Sequence, residues 1–231
     1  MILGGIQKSS LVDFPGKVSC VLFLAGCNFD CPYCHNPKLA RGFKNPQASG
    51  EMGIYDFLRN RKGLLDGVVI SGGEPTLDKD LASLCRAIKR IGYPVKLDTN
   101  GSRPEVLHRL LDDGLVDYVA MDIKTDPFHY STYIKKDSNP DHIFSSIRMI
   151  MERAKDYEFR TTCVRPIVNE ATVKNIAMNI KGAKRYALQR FHETDILHPE
   201  FFDGSDAAYD DDNMMRLKSV AEPFVETCIV R

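Results

Sequence analysis

Short apolar segments alternate with longer amphipathic ones along most of the chain, and this alternation constrains the fold more than any other feature. The segments suited to buried strands are 18–24, 67–70, 95–98, 116–121, 158–164 and 186–191. The helix-like segments between and after them are 55–62, 77–91, 104–113, 142–156 and 171–182. Strands that alternate with helices form right-handed βαβ units and a parallel sheet. The sequence therefore predicts an α/β fold, an incomplete (β/α)6 barrel resembling a TIM barrel, with residues 1–231 as a single domain.

Local signals indicate where several helices begin and where a further strand could lie. Asp78 and Ser102 are residue types that cap helices, and Pro104 suits a first helical turn. The acidic run at 210–212 is typical of a solvated helix N-terminus. Residues 223–230 are a candidate for an additional strand at the end of the sheet.

Three cysteines follow the first predicted strand in one short loop. Cys27, Cys31 and Cys34 have the spacing C-x3-C-x2-C, and thiolates are soft ligands that suit zinc or iron–sulfur clusters. A structural zinc site usually takes four ligands in separated pairs, and His35, adjacent to Cys34, is poorly placed as the fourth. A cubane cluster held by three thiolates keeps one iron open for a reacting molecule. The spacing therefore favours a catalytic cluster over the alternative, a structural metal-binding module.

The four remaining cysteines have a different setting. Cys20, Cys85, Cys163 and Cys228 are scattered among apolar neighbours, where thiols behave as small hydrophobic side chains. We expect them to be buried and unpaired in a reducing compartment.

Polar residues stand where most of the predicted strands end. The carboxyl ends of parallel strands share one edge of the sheet, which is where ligands bind in such folds. The residues at these ends are Gly72, Gly73, Glu74, Asp98, Asn100, Asp122, Ile123, Lys124 and His192. Each group alone has an ordinary explanation as a turn, an exposed ion pair or a hydrogen-bonded histidine. Their occurrence on one rim with the cysteine loop predicts a single binding site.

Several motifs together resemble a known superfamily. The loop Cys-Asn-Phe-Asp-Cys-Pro-Tyr-Cys-His-Asn at 27–36 resembles the cluster motif of the radical S-adenosylmethionine (radical SAM) superfamily, and Gly-Gly-Glu-Pro at 72–75 resembles its second signature. With Val-Asp-Phe-Pro-Gly at 12–16 and the segments 98–101 and 121–124, the chain is similar to the activating enzymes of glycyl-radical enzymes. Pyruvate formate-lyase activase and anaerobic ribonucleoside-triphosphate reductase activase represent this group. The pyruvate formate-lyase type has Gly where this chain has Phe14, so the reductase branch is the nearer resemblance.

The resemblance implies the cofactors and the reaction. Cys27, Cys31 and Cys34 would hold one 4Fe–4S cluster, because no further cysteine lies between residues 37 and 69. One electron would cleave cluster-bound S-adenosylmethionine (SAM) to methionine and a 5′-deoxyadenosyl radical, which would take a hydrogen atom from a glycine of a partner enzyme. The alternative within the same chemistry is a radical SAM enzyme that acts on a small molecule or on RNA.

The resemblance also implies which residues bind SAM. Tyr33 and His35 would flank the adenosine, Gly73 and Glu74 would meet the methionine amino end, and His192 would close the pocket. Asp122 and Lys124 would border the ribose and carboxylate, with Arg160 as a weaker candidate for the carboxylate. Asp98 and Asp122 would in addition hold a monovalent cation. Gly72, Asn100 and Ile123 complete the set of predicted cofactor-binding residues.

Two protein partners follow from the resemblance, a glycyl-radical enzyme and a flavodoxin- or ferredoxin-type electron donor. We expect a loop of the first to enter the open side of the barrel beside Val12, Asp13 and His35. The chain has 31 basic and 31 acidic residues, and this zero formal net charge argues against nucleic acid as a partner. No apolar run approaches the ~20 residues of a membrane span, and the first residues lack the features of a signal peptide. We therefore expect a cytoplasmic protein without a membrane partner.

Overall fold

The computed structural model describes residues 2–43, 51–192, 195–202, 204 and 206–231, and their strands form one open sheet. The strands are β1 (Leu3–Phe14), β2 (Lys17–Leu24), β3 (Gly67–Gly72), β4 (Val95–Thr99), β5 (Tyr118–Asp122), β6 (Tyr157–Cys163), β7 (Tyr186–Arg190) and β8 (Cys228–Val230). They lie side by side in chain order; β1 is antiparallel to β2, and all later neighbours are parallel. Because β1 and β8 remain as edges, the sheet is an incomplete barrel, as the sequence predicts.

The six predicted strands correspond to β2–β7, and β8 lies within the candidate segment 223–230. Sequence analysis missed β1. This strand contains Gly4, Gly5, Ser9 and Ser10, which are poor strand formers, and its pairing with β2 has three register shifts. It forms because the neighbouring edge of β2 offers unpaired backbone groups to a chain segment that is joined to it by a two-residue turn.

Helices connect the parallel strands. They are α1 (Pro37–Ala40), α2 (Glu51–Asn60), α3 (Leu81–Ile91), α4 (Pro104–Asp112), α5 (Tyr130–Tyr133), α6 (Pro140–Arg153), α7 (Glu170–Asn179) and α8 (Asp211–Ala221). Short 3-10 turns occupy Pro75–Leu77, Pro127–His129, Pro199–Phe201 and Glu222–Phe224. No helix of the described residues is long and apolar enough to span a bilayer.

Two of the predicted helix caps are wrong, and two other start signals are confirmed. Asp78 follows a 3-10 turn and accepts a hydrogen bond from the backbone N–H of Asp80, after which α3 begins. The residue directly before α4 is Arg103, so Ser102 lies one position too early to cap the helix. The Ser102 hydroxyl accepts a hydrogen bond from the Asn28 amide. Pro104 does open α4, and Asp210 caps α8 by accepting the N–H of Asn213.

The parallel strands are buried on both faces, but the two faces differ in chemistry. In β4, Val95 and Leu97 lie in the large core between the sheet and the helices. Lys96 and Asp98 alternate with them and therefore point to the inner face of the barrel, where Lys96 is 2% exposed. The inner face thus carries buried polar side chains, which the helix-facing side largely lacks.

The inner face is closed at the amino ends of the strands by a small apolar cluster. We call this cluster the floor; its residues are Phe14, Val21, Val69, Tyr118 and Ala120. Phe14 and Tyr118 pack with ring centroids 5.9 Å apart. A Cβ on Gly67 would lie 2.8 Å from the Phe14 ring, so the ring rests directly on the first residue of β3.

The register of β1 against β2 places the Val-Asp-Phe-Pro-Gly segment at this same end. Phe14 pairs with Lys17 and Leu3 pairs with Leu24, so the turn lies at the amino end of β2. The cysteine loop follows Leu24 at the other end. At about 3.3 Å per residue, Val12 is roughly 20 Å from that edge. The structure thus places Val12 and Asp13 away from the cavity, and their contact with a partner loop stays a prediction.

Candidate functional site

A cavity of about 340 Å³ opens at the carboxyl ends of β3–β7, beside the loop that follows β2. Twelve of the fourteen predicted site residues line it: Cys27, Cys31, Tyr33, Cys34, His35, Gly72, Gly73, Asp98, Asn100, Asp122, Lys124 and His192. The remaining two, Glu74 and Ile123, are buried behind its wall. The single rim predicted from the strand ends is thus present.

The cysteine loop is held in place by backbone hydrogen bonds from three separate parts of the chain. The pairs are Cys27 N–H to the Ala40 carbonyl (3.0 Å), Asp30 N–H to the Ile134 carbonyl (2.9 Å) and Leu197 N–H to the Cys34 carbonyl (3.1 Å). A loop fixed at both ends and in its middle presents its side chains in one arrangement, which a cofactor site requires.

Burial favours the protonated form of two thiols in this loop, Cys27 and Cys31, when no metal is bound. Burial raises the pKa of Cys31 to about 12 and also raises that of Cys27. Binding of a metal centre must therefore release protons.

The donor set suits a cluster better than a single metal ion. Among the described residues, no three Cys, His, Asp or Glu side chains converge on a site for one ion. A structural zinc site needs such convergence of four ligands. Each thiolate of a cubane binds a different iron atom, so the triplet can hold a cluster without converging on one point.

Gly72 and Gly73 are required by the close approach of the protein's own backbone. A Cβ on Gly72 would lie 2.1 Å from the Leu24 carbonyl oxygen, and one on Gly73 would lie 2.1 Å from that of Gly26. Gly73 N–H donates to the Leu24 carbonyl at 2.8 Å, and Glu74 N–H donates to that of Gly26 at the same distance. The glycine pair thus allows the turn to pack directly against the start of the cysteine loop.

Glu74 follows this turn, and its side chain is buried against β4 and not among the residues that line the cavity. Its carboxylate is 2% exposed and accepts hydrogen bonds from the Thr99 hydroxyl (2.8 Å), from the backbone N–H of Asn100 (2.6 Å) and from Thr76. Burial raises the pKa of Glu74, although these hydrogen bonds oppose the shift. Glu74 is absent from the lining of the cavity, and its contact with the amino end of SAM stays a prediction.

Ile123 does not line the cavity either, and its part in cofactor binding stays a prediction. Its side chain is fully buried in the core. Its backbone N–H donates to the Arg160 carbonyl at 2.8 Å, and its own carbonyl accepts the Thr161 hydroxyl at 2.8 Å. These bonds fix the strand end that presents Asp122 and Lys124.

Charged side chains from β4, β5 and β6 form an ion-pair network on the cavity wall. Asp122 and Arg160 are register partners, and Arg160 Nε lies 2.7 Å from Asp122 Oδ1. Arg160 Nη1 lies 3.3 Å from Asp98 Oδ2, and Lys124 Nζ lies 2.9 Å from Asp122 Oδ2. Lys96, two residues before Asp98 in β4, forms an ion pair with the Asp98 carboxylate.

The network keeps both carboxylates ionised. Burial opposes ionisation of Asp122, but Arg160 and Lys124 outweigh it and hold the pKa of Asp122 below its usual value. Arg160 and Lys96 lower the pKa of Asp98 against burial in the same way. Two carboxylates with three basic partners leave one net positive charge, which favours an anionic group of a ligand. The monovalent cation between Asp98 and Asp122 stays a prediction, and it would have to displace one of these basic groups.

Aromatic and amide side chains complete the wall near the cysteines. The Tyr33 hydroxyl donates to the Lys124 carbonyl at 3.2 Å. His35 Nε2 lies 2.9 Å from the His192 carbonyl, which can only accept, and its ring stacks on Phe191 at 5.4 Å. The Asn100 amide lies 4.0 Å from Cys27 Sγ. These contacts connect the cysteine loop to the ends of β4, β5 and β7.

Several lining residues were missed or undervalued by sequence analysis. Ser71, Thr99, Thr162, Gln189 and Arg190 line the cavity, and Arg160 is central to it. The sequence of β6 contains a pattern that could have indicated Arg160: the polar residues Glu158, Arg160 and Thr162 stand at every second position of the strand. Such period-two polarity inside a buried strand indicates that one face lines a polar site.

Comparison with known proteins agrees with this geometry. A family model described as the radical SAM superfamily matches residues 21–181, which include the cysteine loop and the whole of β3–β6. The chain belongs to the radical SAM superfamily. Radical SAM enzymes use a 4Fe–4S cluster and SAM, so the predicted enzyme class and both cofactors are confirmed.

Two curated relatives and one solved structure show how far the similarity extends. The chain is 36% identical over its full length, and over 95% of the relative, to a Methanocaldococcus jannaschii protein named as a glycyl-radical enzyme activating enzyme. It is 32% identical over 54% of each chain to the pyruvate formate-lyase-activating enzyme of Clostridium pasteurianum. Streptococcus suis SuiB bound to S-adenosylmethionine has the same fold, with a TM-score of 0.62 and 16% identity over 91% of this chain and 51% of SuiB.

Proposed function

We propose that this radical SAM enzyme generates a glycyl radical on a partner enzyme. The observation that carries the proposal is the convergence of three cysteines and the polar strand ends on one cavity. Support for the substrate class comes from a relative that is similar over the whole chain and is named as an activating enzyme of glycyl-radical enzymes. Support also comes from the barrel itself, whose two free edges leave room for an inserted loop.

The residues of the chain have distinct tasks in this proposal. Cys27, Cys31 and Cys34 would hold the cluster, which when bound reduces SAM and thereby supplies a 5′-deoxyadenosyl radical. Lys124 and Arg160 would attract the SAM carboxylate, because their network has a net positive charge. The apolar floor would keep water from the amino ends of the strands. The Gly72–Gly73 turn would hold the cofactor's methionine end against the cysteine loop.

We infer that the partner is an anaerobic ribonucleoside-triphosphate reductase. The support is the sequence Val-Asp-Phe-Pro-Gly at 12–16, which resembles that branch. Phe14 lies in the floor, away from the cavity mouth. It therefore marks the resemblance to the reductase-activating branch without contacting a substrate. Selection of the partner must then come from residues at the cavity mouth, such as His35 and His192.

We also place the reaction in the cytoplasm, with a flavodoxin- or ferredoxin-type protein as electron donor. All seven cysteines are unpaired thiols, which suits a reducing compartment.

The test combines the enzyme with two candidate partners under anaerobic conditions. Iron-reconstituted protein, SAM and a reductant are incubated with an anaerobic ribonucleoside-triphosphate reductase or with a pyruvate formate-lyase. We expect 5′-deoxyadenosine by chromatography and a glycyl radical by electron paramagnetic resonance on the reductase. The matched control is the same reductase with its radical glycine replaced by alanine.

Each outcome has a separate meaning. A radical on pyruvate formate-lyase alone would keep the activase and reject the reductase. Formation of 5′-deoxyadenosine without a radical on either partner would favour a small-molecule or RNA substrate. No 5′-deoxyadenosine from protein that carries about four irons per chain would overturn the proposed function.

A further inference from the structure

A second opening, which we call the outer groove, adjoins the cysteine loop outside the cavity. Its lining residues are Cys27, Asn28, Phe29, Asp30, Ala40, Arg41, Lys135, Lys136 and Leu197. Cys27 and Phe29 also line the cavity, so part of the cysteine loop is a wall common to both openings. A molecule in the outer groove therefore lies beside a predicted cluster ligand without entering the cavity.

The outer groove is basic although the chain as a whole has zero formal net charge. Its lining has three basic side chains and one acidic one, a local excess of two positive charges. Arg41, Lys135 and Lys136 are exposed. Arg41 lies close enough to Glu200 to help lower the pKa of that carboxyl, whereas neither Lys135 nor Lys136 forms an ion pair with another described residue. The acidic member, Asp30, has its carboxylate 3.0 Å from His198 Nε2. The two lysines are thus available to a negatively charged surface, and Arg41 adds a third exposed positive charge that it shares with Glu200.

These basic residues are attached to the cysteine loop through its own hydrogen bonds. Asp30 N–H donates to the carbonyl of Ile134, the residue before Lys135. Cys27 N–H donates to the carbonyl of Ala40, the residue before Arg41. The backbone next to Arg41 and Lys135 is therefore tied to the cysteine loop, and both residues line the same groove as Cys27.

We propose that an acidic one-electron donor protein docks in the outer groove and is held there by Arg41, Lys135 and Lys136. The inference rests on the proposed function in that it needs a cluster at Cys27, Cys31 and Cys34. In the proposed function SAM and the partner loop would occupy the cavity, which leaves the donor to approach the cluster from another side. The outer groove provides that approach at Cys27. One electron leaves the donor and enters the cluster, and no atom or proton is transferred.

Binding is the first test, because it does not depend on turnover. Cluster-loaded enzyme is titrated with an acidic flavodoxin by calorimetry at low ionic strength, with and without saturating SAM. The double variant K135E/K136E should bind at least roughly tenfold more weakly, because charge reversal turns attraction into repulsion. The matched control is K174E/K181E, which reverses the charge of two exposed lysines, one in α7 and one just after it. This variant should bind the flavodoxin as tightly as the wild type does. Saturating SAM should leave the affinity unchanged.

Turnover with two reductants separates this proposal from the proposed function. With reduced flavodoxin, K135E/K136E should form 5′-deoxyadenosine with a KM for the donor that is raised roughly tenfold, and high salt should remove the difference. With photoreduced deazaflavin, a small neutral reductant, all variants should match the wild type.

The negative outcomes also point to different conclusions. Equal affinity in all variants, no binding by the wild type, or competition between flavodoxin and SAM would each overturn docking in the outer groove. Failure of wild type to cleave SAM with deazaflavin would instead overturn the proposed radical chemistry.

Discussion

The two ends of the barrel interior contain different chemistry on the same strands. At the carboxyl ends, β4, β5 and β6 present Asp98, Asp122 and Arg160 to the cavity. At the amino ends, the floor buries Tyr118 and Val69 of the same sheet against Phe14. The cavity end retains charged groups that are costly to bury, and the floor contributes burial of apolar surface. The comparison indicates that the floor stabilises the scaffold while the cavity end carries function.

Substitution at a cysteine should show the largest effect at the cavity end. Cys31→Ala should lose the cluster and all SAM cleavage, because only two thiolates would remain. Iron analysis and 5′-deoxyadenosine formation measure this. The matched control Cys85→Ala removes a fully buried thiol of α3 and should keep iron and activity at a cost of ~1–2 kcal/mol. Retained activity in Cys31→Ala would refute the site assignment.

Truncation of the floor should affect stability and leave chemistry intact. Phe14→Ala removes a ring that is 3% exposed and should lower the free energy of unfolding by about 3–4 kcal/mol. Urea denaturation measures the loss, and Phe14→Leu should restore most of it. Activity per folded molecule should equal that of the wild type. A loss of SAM cleavage in the folded fraction would show that the two ends are not independent.

Removal of Arg160 tests the charged network. Arg160→Met leaves two partly buried carboxylates with fewer basic partners and should cost up to roughly 3 kcal/mol at pH 7. Because the pKa values of Asp98 and Asp122 are lowered in the folded state, their contribution is present above about pH 4 and is lost as the pH falls through the folded values. The difference between wild type and variant should therefore shrink below about pH 4. Arg153→Met, which breaks an exposed pair with Asp112, should cost at most about 1 kcal/mol.

A single methyl group at the Gly-Gly turn should displace the cysteine loop. Gly73→Ala places a Cβ 2.1 Å from the Gly26 carbonyl oxygen and should cost roughly 1–3 kcal/mol. The iron content per chain of Gly73→Ala should also be lower than that of the wild type. Gly5→Ala is the control, because the nearest atom to its Cβ would lie 3.9 Å away. Full iron loading in Gly73→Ala would mean that the turn does not position the loop.

The smallest effect is expected at the hairpin end beside the floor. Val12→Ser changes a residue that is 82% exposed and far from the cavity, so stability should change by less than about 0.5 kcal/mol. SAM cleavage should equal that of the wild type. A selective loss of partner activation, measured by the glycyl radical signal, would show that the partner also contacts this end.

Much of the architecture was predictable because it depends on local patterns. Alternation of strand-like and helix-like segments predicted β2–β7 and the parallel sheet, and the ends of those strands indicated the rim. The segment β1 escaped prediction because its glycines and serines give no strand pattern, and its pairing depends on the free edge of β2. The predicted helix caps at Asp78 and Ser102 were wrong because both side chains have other hydrogen-bond partners. Asp78 accepts the N–H of Asp80 within a turn, and Ser102 accepts the amide of Asn28 in the cysteine loop.

The amino-acid sequence by itself determined the chemistry of this protein: three thiols at one spacing, one glycine pair and a set of charged strand ends. The tertiary structure decided what those residues contact. It placed Glu74 under the turn, Gly73 against Gly26, and Val12 at the opposite end from the cysteines. The physical reason is that residue type and spacing are properties of a local segment. Contacts between segments dozens of residues apart depend on strand register and packing, which only the folded chain establishes.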